Sequence, residues 1–562
     1  MGTSGAGSGR SWWAINAAIL LVISFVLNSC TTPASASSSA DPGDIVVEVI
    51  GAEGSPLVHG VVVRVTSSTQ SDNEDNDGFK LESCTTGQFI TAWAPGHQVG
   101  FSEECNGSKS YTVTLQSLEG IRDNPNYIWR SAYGDCKECH AGQFGGAYDE
   151  LHEWEVTSHA AAFETSRYVE SLDPEQAKGC LPCHAPTTNS TPFFSTDGNS
   201  AMEGVTCDVC HKVNGIILEN NQYPSKPGIH SFQFVRSDLF KTGPFSNIIV
   251  PYPDMIRTAA RSMCSNLFSK SEFCAACHYG SIENTLVYGS YKEWKESPYG
   301  SDPTSNEYRT CQDCHMSYEQ ANGGNQFTRR GACSETDPGF QNFSHNVMNF
   351  GLDSDLQRNI PRLIRGAAAI GATFEYRPQE NNSLLVHVTV QNLFTGHNFP
   401  TDSPLRHLIL VLDGKDQFSN VLTQLGGPKI PDLGGISTPG INFPGVNAYA
   451  RLPGKIFANP LIQADPSLTP SVAYWRQFQS QPDAVTTLRS RGVDVSTYAF
   501  AAPIDGEVKF KISLLYRFNF YGLMQQPFWT DRRDRMDIPV AVWECLGNAA
   551  QIEYFRCTPI PQ

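Results

Sequence analysis

The sequence predicts a multidomain protein in which a loop-rich region of short helices is flanked by two β-sandwich-like domains. Segments that alternate apolar and polar residues lie near both ends, such as "IVVEVI" and "VVVRVT" on the N-terminal side and "LLVHVTVQNL" and "VKFKISLLYRFNF" on the C-terminal side. Alternation of this kind is typical of half-buried strands in sandwiches. The chain has 562 residues with 47 Gly and 35 Pro, which is long enough for about two to four domains and indicates many loops.

The composition excludes two classes of protein. Only 17% of the residues are charged and 40% are hydrophobic, so the chain is not of the disordered type. The net charge is −17, and the sequence has no basic stripe of the kind that nucleic-acid binding needs, so no nucleic-acid partner is expected. Seventeen cysteines are too many for an ordinary cytosolic enzyme and require a chemical explanation.

Residues 1–29 are predicted to be a secretory signal. Arg10 precedes the apolar stretch "WWAINAAILLVISFVL", which ends in "LNSC", and so short an apolar core is typical of a signal rather than a membrane span. The ending resembles a bacterial lipobox, so Cys30 is expected to carry a lipid and residues 30–44 to form a flexible tether; an ordinary signal peptide is the alternative. Thr31 after the cysteine favours the outer membrane. We therefore expect an exported lipoprotein attached to the bacterial outer membrane or cell surface.

The pattern Cys-x-x-Cys-His occurs five times, and the copies are called motifs 1 to 5 in chain order. They are Cys136–His140, Cys180–His184, Cys207–His211, Cys274–His278 and Cys311–His315. Two thiols at this spacing can add to the two vinyl groups of a haem, and the adjacent histidine is then brought to the iron. A zinc site or a redox pair does not need a histidine at the same offset every time. The sequence therefore predicts five covalently bound haem c groups.

The residues that follow from this prediction form two sets. The haem-attaching cysteines are Cys136, Cys139, Cys180, Cys183, Cys207, Cys210, Cys274, Cys277, Cys311 and Cys314. The proximal iron ligands are His140, His184, His211, His278 and His315.

Part of the central region is duplicated. "YDELHEWEVTSH" after motif 1 aligns with "YGSYKEWKESPY" after motif 4, and Trp154 to His159 has the same spacing as Trp294 to Tyr299. Another motif follows in each copy, 44 residues beyond Cys136 and 37 residues beyond the first cysteine of motif 4. The pattern predicts a duplicated two-haem unit of motifs 1 and 2 and motifs 4 and 5, with motif 3 inserted between the copies.

The stretches "EWEVTSHA", "EGVTCDVCHKV", "SEFCAACH", "YKEWKESPY" and "CQDCHM" resemble the multihaem cytochrome c superfamily that includes hydroxylamine oxidoreductase and the tetrahaem cytochrome that serves it. The resemblance covers residues 120–350, which are predicted to form a pentahaem cytochrome c domain. It implies haems in close pairs around short helices, electron transfer between them and, in some members, catalysis at one open haem.

Four further histidines are candidates for distal iron ligands. His159, His345 and His397 match positions that the resemblance implies, and His230 in "KPGIHSF" is added as a candidate. The superfamily often has a histidine shortly before "SEFCAACH", whereas this chain has none between His230 and motif 4. One haem is therefore expected to lack a sixth protein ligand, or to take Met263 or a distant histidine.

The flanking regions are predicted to be β-rich. Residues 45–118 resemble carboxypeptidase-regulatory-like domains, which are small β-sandwiches without catalytic function. Residues 365–562 resemble the C-terminal β domain of several multihaem cytochromes, which is expected to cover haem edges. Six cysteines remain, and in an exported protein disulfides are expected; the two outer pairs are local and the middle one follows by elimination. The pairs are Cys84 with Cys105, Cys264 with Cys333, and Cys545 with Cys557.

The function that this reasoning predicts is one-electron transfer along a row of haems, in a respiratory chain or to an extracellular acceptor. The expected partners are redox proteins or that acceptor, together with the membrane through the lipid anchor; assembly into a homo-oligomer or filament stays open. One alternative is an oxidoreductase that acts on a small nitrogen or sulfur compound at a five-coordinate haem. The other is a haem subunit of a larger membrane respiratory complex.

Overall fold

The computed structural model describes most of the chain from residue 44 onward. The described ranges are 44–57, 59–65, 71–73, 78–94, 96–120, 122–141, 150–163, 178–189, 203–236, 241–243, 262–282, 285–316, 344–345, 364, 366–437, 445–463, 478–479, 486–503, 506–522, 537–549 and 551–561. The predicted signal, residues 30–43 of the tether with Cys30, and Cys333 lie outside them, as do the side chains of Cys139, Met263 and Cys264.

Seven strands form two sheets near the N-terminus. The strands are β1 Ile45–Gly51, β2 Val62–Val65, β3 Ser71–Asn73, β4 Phe79–Leu81, β5 Phe89–Trp93, β6 Gly100–Glu104 and β7 Ser110–Leu115. One sheet has the order β4-β1-β7 and the other β3-β2-β5-β6. Every second residue of β1 and β7 is buried, and side chains of both sheets meet in one apolar core. A disulfide joins Cys84 to Cys105 within this core, which is the local pair that the sequence predicts.

The central region consists of short helices and small sheets. The helices are α1 Lys137–His140, α2 Glu150–Glu155, α3 Leu181–His184, α4 Pro186–Asn189, α5 Cys207–Cys210, α6 Glu272–His278, α7 Ser290–Lys295 and α8 Cys311–His315. A π-helical turn, Ala132–Cys136, precedes α1, and 3-10 turns span Gly228–Ser231 and Asn266–Ser269. No helix among the described residues has both the length and the apolar character needed to cross a bilayer.

Four two-stranded sheets lie between these helices. Their strands are β8 Val213–Ile216, β9 Leu218–Glu219, β10 Tyr223–Pro224, β11 Phe232–Phe234, β12 Lys241–Gly243, β13 Ser262–Cys264, β14 Gly280–Ile282 and β15 Thr285–Tyr288. The pairs are β8 with β11, β9 with β10, β12 with β13, and β14 with β15.

Longer strands form the C-terminal part. They are β16 Ala368–Arg377, β17 Ser383–Asn392, β18 His407–Asp416, β19 Gln424–Gly426, β20 Gly454–Ala458, β21 Ile462–Gln463, β22 Phe478–Gln479, β23 Val493–Ala501, β24 Glu507–Arg517, β25 Ile538–Asn548 and β26 Gln551–Pro559. Sheets of order β16-β17-β23-β19 and β20-β18-β24-β25-β26 share one core, and β21 pairs with β22. The second local pair predicted from the sequence, Cys545 with Cys557, is a disulfide between neighbouring positions of β25 and β26.

The architecture is thus multidomain, with many strands in several sheets and few, short helices. The loop between β17 and β18, residues 393–406, reaches from the C-terminal sheets to the motif helices. It carries His397 and Asp402, whose contacts with the central region are described below. This loop is where the β-rich part of the chain meets the candidate functional site.

Candidate multihaem site

Each of the five motifs lies in a helical turn, and side-chain caps start two of these helices. The Thr206 hydroxyl accepts from the Val209 N–H at the start of α5. The Thr310 hydroxyl accepts from the Asp313 N–H at the start of α8, and the Asp313 carboxylate accepts in return from the Thr310 N–H. Such caps satisfy N–H groups that a short helix leaves unpaired. Because one turn of helix places residues i and i+3 on the same side, the cap also presents both cysteines of a motif together.

The motifs that correspond in the two duplicated units are not the ones that the sequence predicts. The Trp154 Nε1–H donates to the Val205 carbonyl, directly before the cap of motif 3. The Trp294 Nε1–H donates to the Arg309 carbonyl, directly before the cap of motif 5. In the same way, the Val205 N–H donates to the His159 carbonyl and the Arg309 N–H donates to the carbonyl of Tyr299. Motif 3, and not motif 2, is therefore the counterpart of motif 5.

The second position of each of these motifs makes an equivalent contact. Asp208 in motif 3 accepts from the Arg130 N–H just before motif 1, at 2.9 Å. Gln312 in motif 5 donates to the Lys270 carbonyl just before motif 4, at 2.8 Å. The duplicated units are thus motifs 1 and 3 and motifs 4 and 5, and motif 2 is the insertion. The sequence prediction was wrong because motif 2 is inserted inside the first unit, between motif 1 and its true partner, motif 3.

Three proximal histidines each face a histidine from a distant part of the chain. The ring centres of His278 and His159 are 6.3 Å apart. Those of His315 and His397 are 6.2 Å apart, with the rings 15° from parallel. Those of His211 and His345 are 6.0 Å apart, with an angle of 29°. The structure thus brings three of the four candidate distal histidines to three different motifs.

These distances fit an iron between two imidazoles. An imidazole nitrogen binds a first-row metal at about 2.0 Å, and the ring centre lies about 1 Å further out, so two axial rings have centres roughly 6 Å apart. The three measured separations, 6.0 to 6.3 Å, agree with that spacing. The residues present therefore fit the haem that the motifs predict.

Hydrogen bonds at Nδ1 orient several of these rings. The Nδ1–H of His397 donates to the Asn398 carbonyl at 2.8 Å, and that of His184 donates to the Ala162 carbonyl at 3.2 Å. A carbonyl can only accept, so Nδ1 carries the hydrogen and Nε2 is the nitrogen that can bind iron.

Two proximal histidines are held by carboxylates instead. The distance from His140 Nδ1 to Glu150 Oε2 is 3.1 Å, and that from His278 Nδ1 to Asp402 Oδ2 is 3.2 Å. The hydrogen bond to His140 keeps the pKa of Glu150 low although burial opposes it. Burial would lower the pKa of His278, but the hydrogen bond with Asp402 and its charge raise it.

Burial favours the ligating form of two other rings. It lowers the pKa of His159 to about 4, with a smaller effect from the charge of His278. It also lowers the pKa of His315 to about 4, with a smaller effect from His397. Because an imidazole binds a metal in its neutral form, both rings are in the competent state at neutral pH.

Thiols of different motifs are in contact, which shows which attachment sites are neighbours. The hydrogen-bonded pairs are Cys136 with Cys207, Cys183 with Cys277, and Cys274 with Cys311. The pKa of Cys274 and of Cys277 is raised by these bonds, by burial and by the nearby Cys210 of motif 3. Motif 4 is therefore adjacent to motifs 2, 3 and 5, and motif 1 is adjacent to motif 3.

The fourth candidate, His230, lies beside motif 2. It is on the 3-10 turn Gly228–Ser231 and is exposed. Gly228 has a φ of 61°, and a Cβ there would lie 2.2 Å from the Pro182 carbonyl oxygen of α3, so only glycine permits this approach. The placement makes His230 a candidate for the haem of motif 2, and its ligand role stays a prediction.

Sequence reasoning missed four carboxylates of this site. Glu150 and Asp402 hold proximal histidines, as described above. Glu153 accepts from the His345 N–H at 2.7 Å, and Glu293 accepts from the Asn398 N–H at 3.1 Å. The "EW" pair common to the two copies was a signal for Glu153 and Glu293, but Asp402 has no counterpart in the repeat that could have marked it.

Comparison with known proteins agrees with this chemistry. The family model described as Cytochrome c554 and c-prime matches residues 135–212, which contain motifs 1, 2 and 3. The match and the five motifs support a multihaem c-type cytochrome with covalently bound haem c, for which electron transfer is the implied function. The particular type of multihaem cytochrome, and the carboxypeptidase-regulatory-like nature of the N-terminal domain, stay predictions.

A solved structure is also similar to this chain. It is the penta-heme cytochrome c552 from Thermochromatium tepidum, with 18% identity, a TM-score of 0.47, and coverage of 76% of this chain and 97% of that chain. No curated protein matches the sequence.

Proposed function

We propose that the protein is a pentahaem electron carrier in which at least three haems have two histidine ligands. The single observation that carries this proposal is the set of three histidine pairs at 6.0 to 6.3 Å. A haem iron that also has two protein ligands is fully coordinated and has no open position for a substrate. Such haems pass electrons and do not bind small molecules. The proposed ligand pairs are His278 with His159, His315 with His397, and His211 with His345.

The contacts between thiols support a branched order of the haems. Thiols of motif 1 and motif 3 are hydrogen-bonded, as are thiols of motif 4 with those of motifs 2 and 5. Motif 3 is near motif 4 through the charge interaction of Cys210 with Cys274 and Cys277. Each thiol marks the edge of the haem attached to it, so contact between thiols means that two haem edges are close. We propose that electrons pass between motif 1 and motif 4 through motif 3, and that motif 4 is the branch point towards motifs 2 and 5.

The place of action is proposed from the N-terminal sequence alone. Haem c is attached outside the cytoplasm, and residues 1–30 have the pattern of a lipoprotein signal. The proposed site is therefore the outer membrane or cell surface, where the partners are redox proteins or an extracellular acceptor.

The test is a count of haems and of their ligands in the purified protein. Intact mass should show five covalently bound haems, and electron paramagnetic resonance of the oxidised protein should show at least three low-spin signals. Fewer than three low-spin haems would contradict the ligand pairs. A high-spin haem that binds nitrite, hydroxylamine or sulfite would favour the oxidoreductase alternative for that haem.

A further inference from the structure

The proximal histidine of motif 4 is held by a residue from the C-terminal part of the chain. His278 Nδ1 lies 3.2 Å from Asp402 Oδ2. Asp402 also binds the first residue of α7: the Ser290 N–H donates to Oδ1 at 3.0 Å and the Ser290 hydroxyl donates to Oδ2 at 3.1 Å. Burial opposes a low pKa of the Asp402 carboxyl, but the hydrogen bond with His278 keeps it low, and the charge of Arg406 acts in the same direction. The side chain of Asp402 is only 12% exposed, so its charge is weakly screened by solvent.

The first duplicated unit has the same contact, made by a residue of its own. His140 of motif 1 lies 3.1 Å from Glu150 Oε2. Glu150 is the first residue of α2, four positions before Trp154, and Ser290 is the first residue of α7, four positions before Trp294. The second unit therefore has a serine where the first has the carboxylate, and that serine binds Asp402.

We propose that Asp402 is a positioning residue that replaces the missing carboxylate of the second unit and lowers the redox potential of the haem of motif 4. This inference rests on the proposed function, because it assumes that His278 is an iron ligand. A carboxylate that accepts from the ligand's Nδ1–H makes the imidazole a stronger donor, which stabilises ferric iron. The C-terminal domain then sets the potential of the haem at the branch point.

The conformation of Asp402 agrees with a specific role. Its φ is 58°, in the left-handed region, which few residues other than Gly, Asn and Asp adopt without strain. Asp402→Asn is therefore the appropriate variant, because asparagine tolerates this backbone and keeps the size of the side chain, while it removes the charge and one of the two acceptor oxygens. Asp413→Asn is the matched control: it makes the same change on β18 of the same domain, where Asp413 pairs at the surface with Lys415.

The experiment is a spectroelectrochemical titration of the full-length holoprotein. In Asp402→Asn, one of the five midpoint potentials should rise while the others stay in place, and the g values of one low-spin signal should change. The affected haem should be the one that becomes high-spin in His159→Ala. Asp413→Asn should have the potentials of the unchanged protein. The double variant Ser290→Glu, Asp402→Asn, which moves the carboxylate to the position it has in the first unit, should return the raised potential towards its original value.

Three results would overturn the inference. One is a set of five unchanged potentials in Asp402→Asn, the second is an equal shift of all five, and the third is a double variant that keeps the raised potential. If Asp402→Asn fails to accumulate with five haems, Glu150→Gln is titrated instead, and an unchanged potential for the haem of motif 1 overturns the inference. The proposed function is judged separately, by the number of low-spin haems in the unchanged protein.

Discussion

Glu293 provides a test of how the loop that carries His397, the proposed distal ligand of the motif 5 haem, is held in place. Its carboxylate accepts three hydrogen bonds from the loop that carries His397: two from Asn398, through the backbone N–H at 3.1 Å and the side-chain amide at 3.0 Å, and one from the Thr401 hydroxyl. We predict that Glu293→Ala releases this loop and removes the distal ligand of the motif 5 haem in a measurable fraction of molecules.

The size of the effect follows from these bonds. Each contributes about 1 kcal/mol net, so the three together hold the loop by about 3 kcal/mol. Since 1.4 kcal/mol is a factor of ten, the ratio of docked to released loop falls roughly a hundredfold. Burial raises the pKa of Glu293 although the hydrogen bond from Thr401 opposes it, so desolvation of the carboxylate already offsets part of what these bonds contribute. We therefore take about 1 kcal/mol for each bond, the value of an ordinary hydrogen bond, rather than the higher value of a hydrogen bond to a charged group.

The assay is electron paramagnetic resonance of the oxidised protein. Glu293→Ala should lose one low-spin signal and gain a high-spin one, and added imidazole should reverse the change. Glu296→Ala is the matched control, because Glu296 directly follows the same helix, is exposed and bonds with Lys292 and Tyr223 rather than with the loop that carries His397. The double variant Glu293→Ala, His397→Ala should have the same spin states as His397→Ala alone, because both changes remove the same ligand.

The reasoning would be refuted if Glu293→Ala had the spin states and potentials of Glu296→Ala. The first unit offers an independent check, since Glu153 holds the His345 backbone in the equivalent place. Glu153→Ala should affect the haem of motif 3 and leave that of motif 5 unchanged.

Three other changes have defined outcomes. His159→Ala should keep five haems but convert one, that of motif 4, to a high-spin form with a raised potential, whereas Tyr299→Phe should leave all spin states unchanged; an unaltered spectrum in the first would contradict the ligand pair. Cys30→Ala should move the protein from the membrane fraction to a soluble exported pool, and an unchanged distribution on fractionation would contradict the lipid anchor. Arg517→Ala should lower the free energy of unfolding by about 3–5 kcal/mol, because Arg517 is 0% and its partner Asp537 6% exposed and the carboxylate would stay buried without its charge partner.

The last of these is measured as a lower urea midpoint for the C-terminal domain. Its control is Arg491→Ala, since Arg491 pairs with Glu307 at the exposed surface and such pairs contribute roughly 0–1 kcal/mol. Equal losses in the two variants would show that burial of the Arg517 pair has no special importance.

The sequence by itself determined the chemistry of attachment. A thioether pair and its proximal histidine depend on five consecutive residues, so the motif can be recognised without knowledge of the fold. The same holds for the strands at both ends of the chain, whose alternating pattern is local, and for the disulfides Cys84–Cys105 and Cys545–Cys557, whose partners are 21 and 12 residues apart.

Only the tertiary structure decided which histidine faces which motif. His159 meets motif 4 rather than a motif near it in the chain, because distal ligands are brought in through space and leave no spacing rule in the sequence. The register of the duplication was likewise decided by the hydrogen bonds of Trp154 and Trp294, since the inserted motif 2 hides it from a linear comparison. Asp402 could not be found from the repeat at all, because the second unit receives its carboxylate from a domain that is not duplicated.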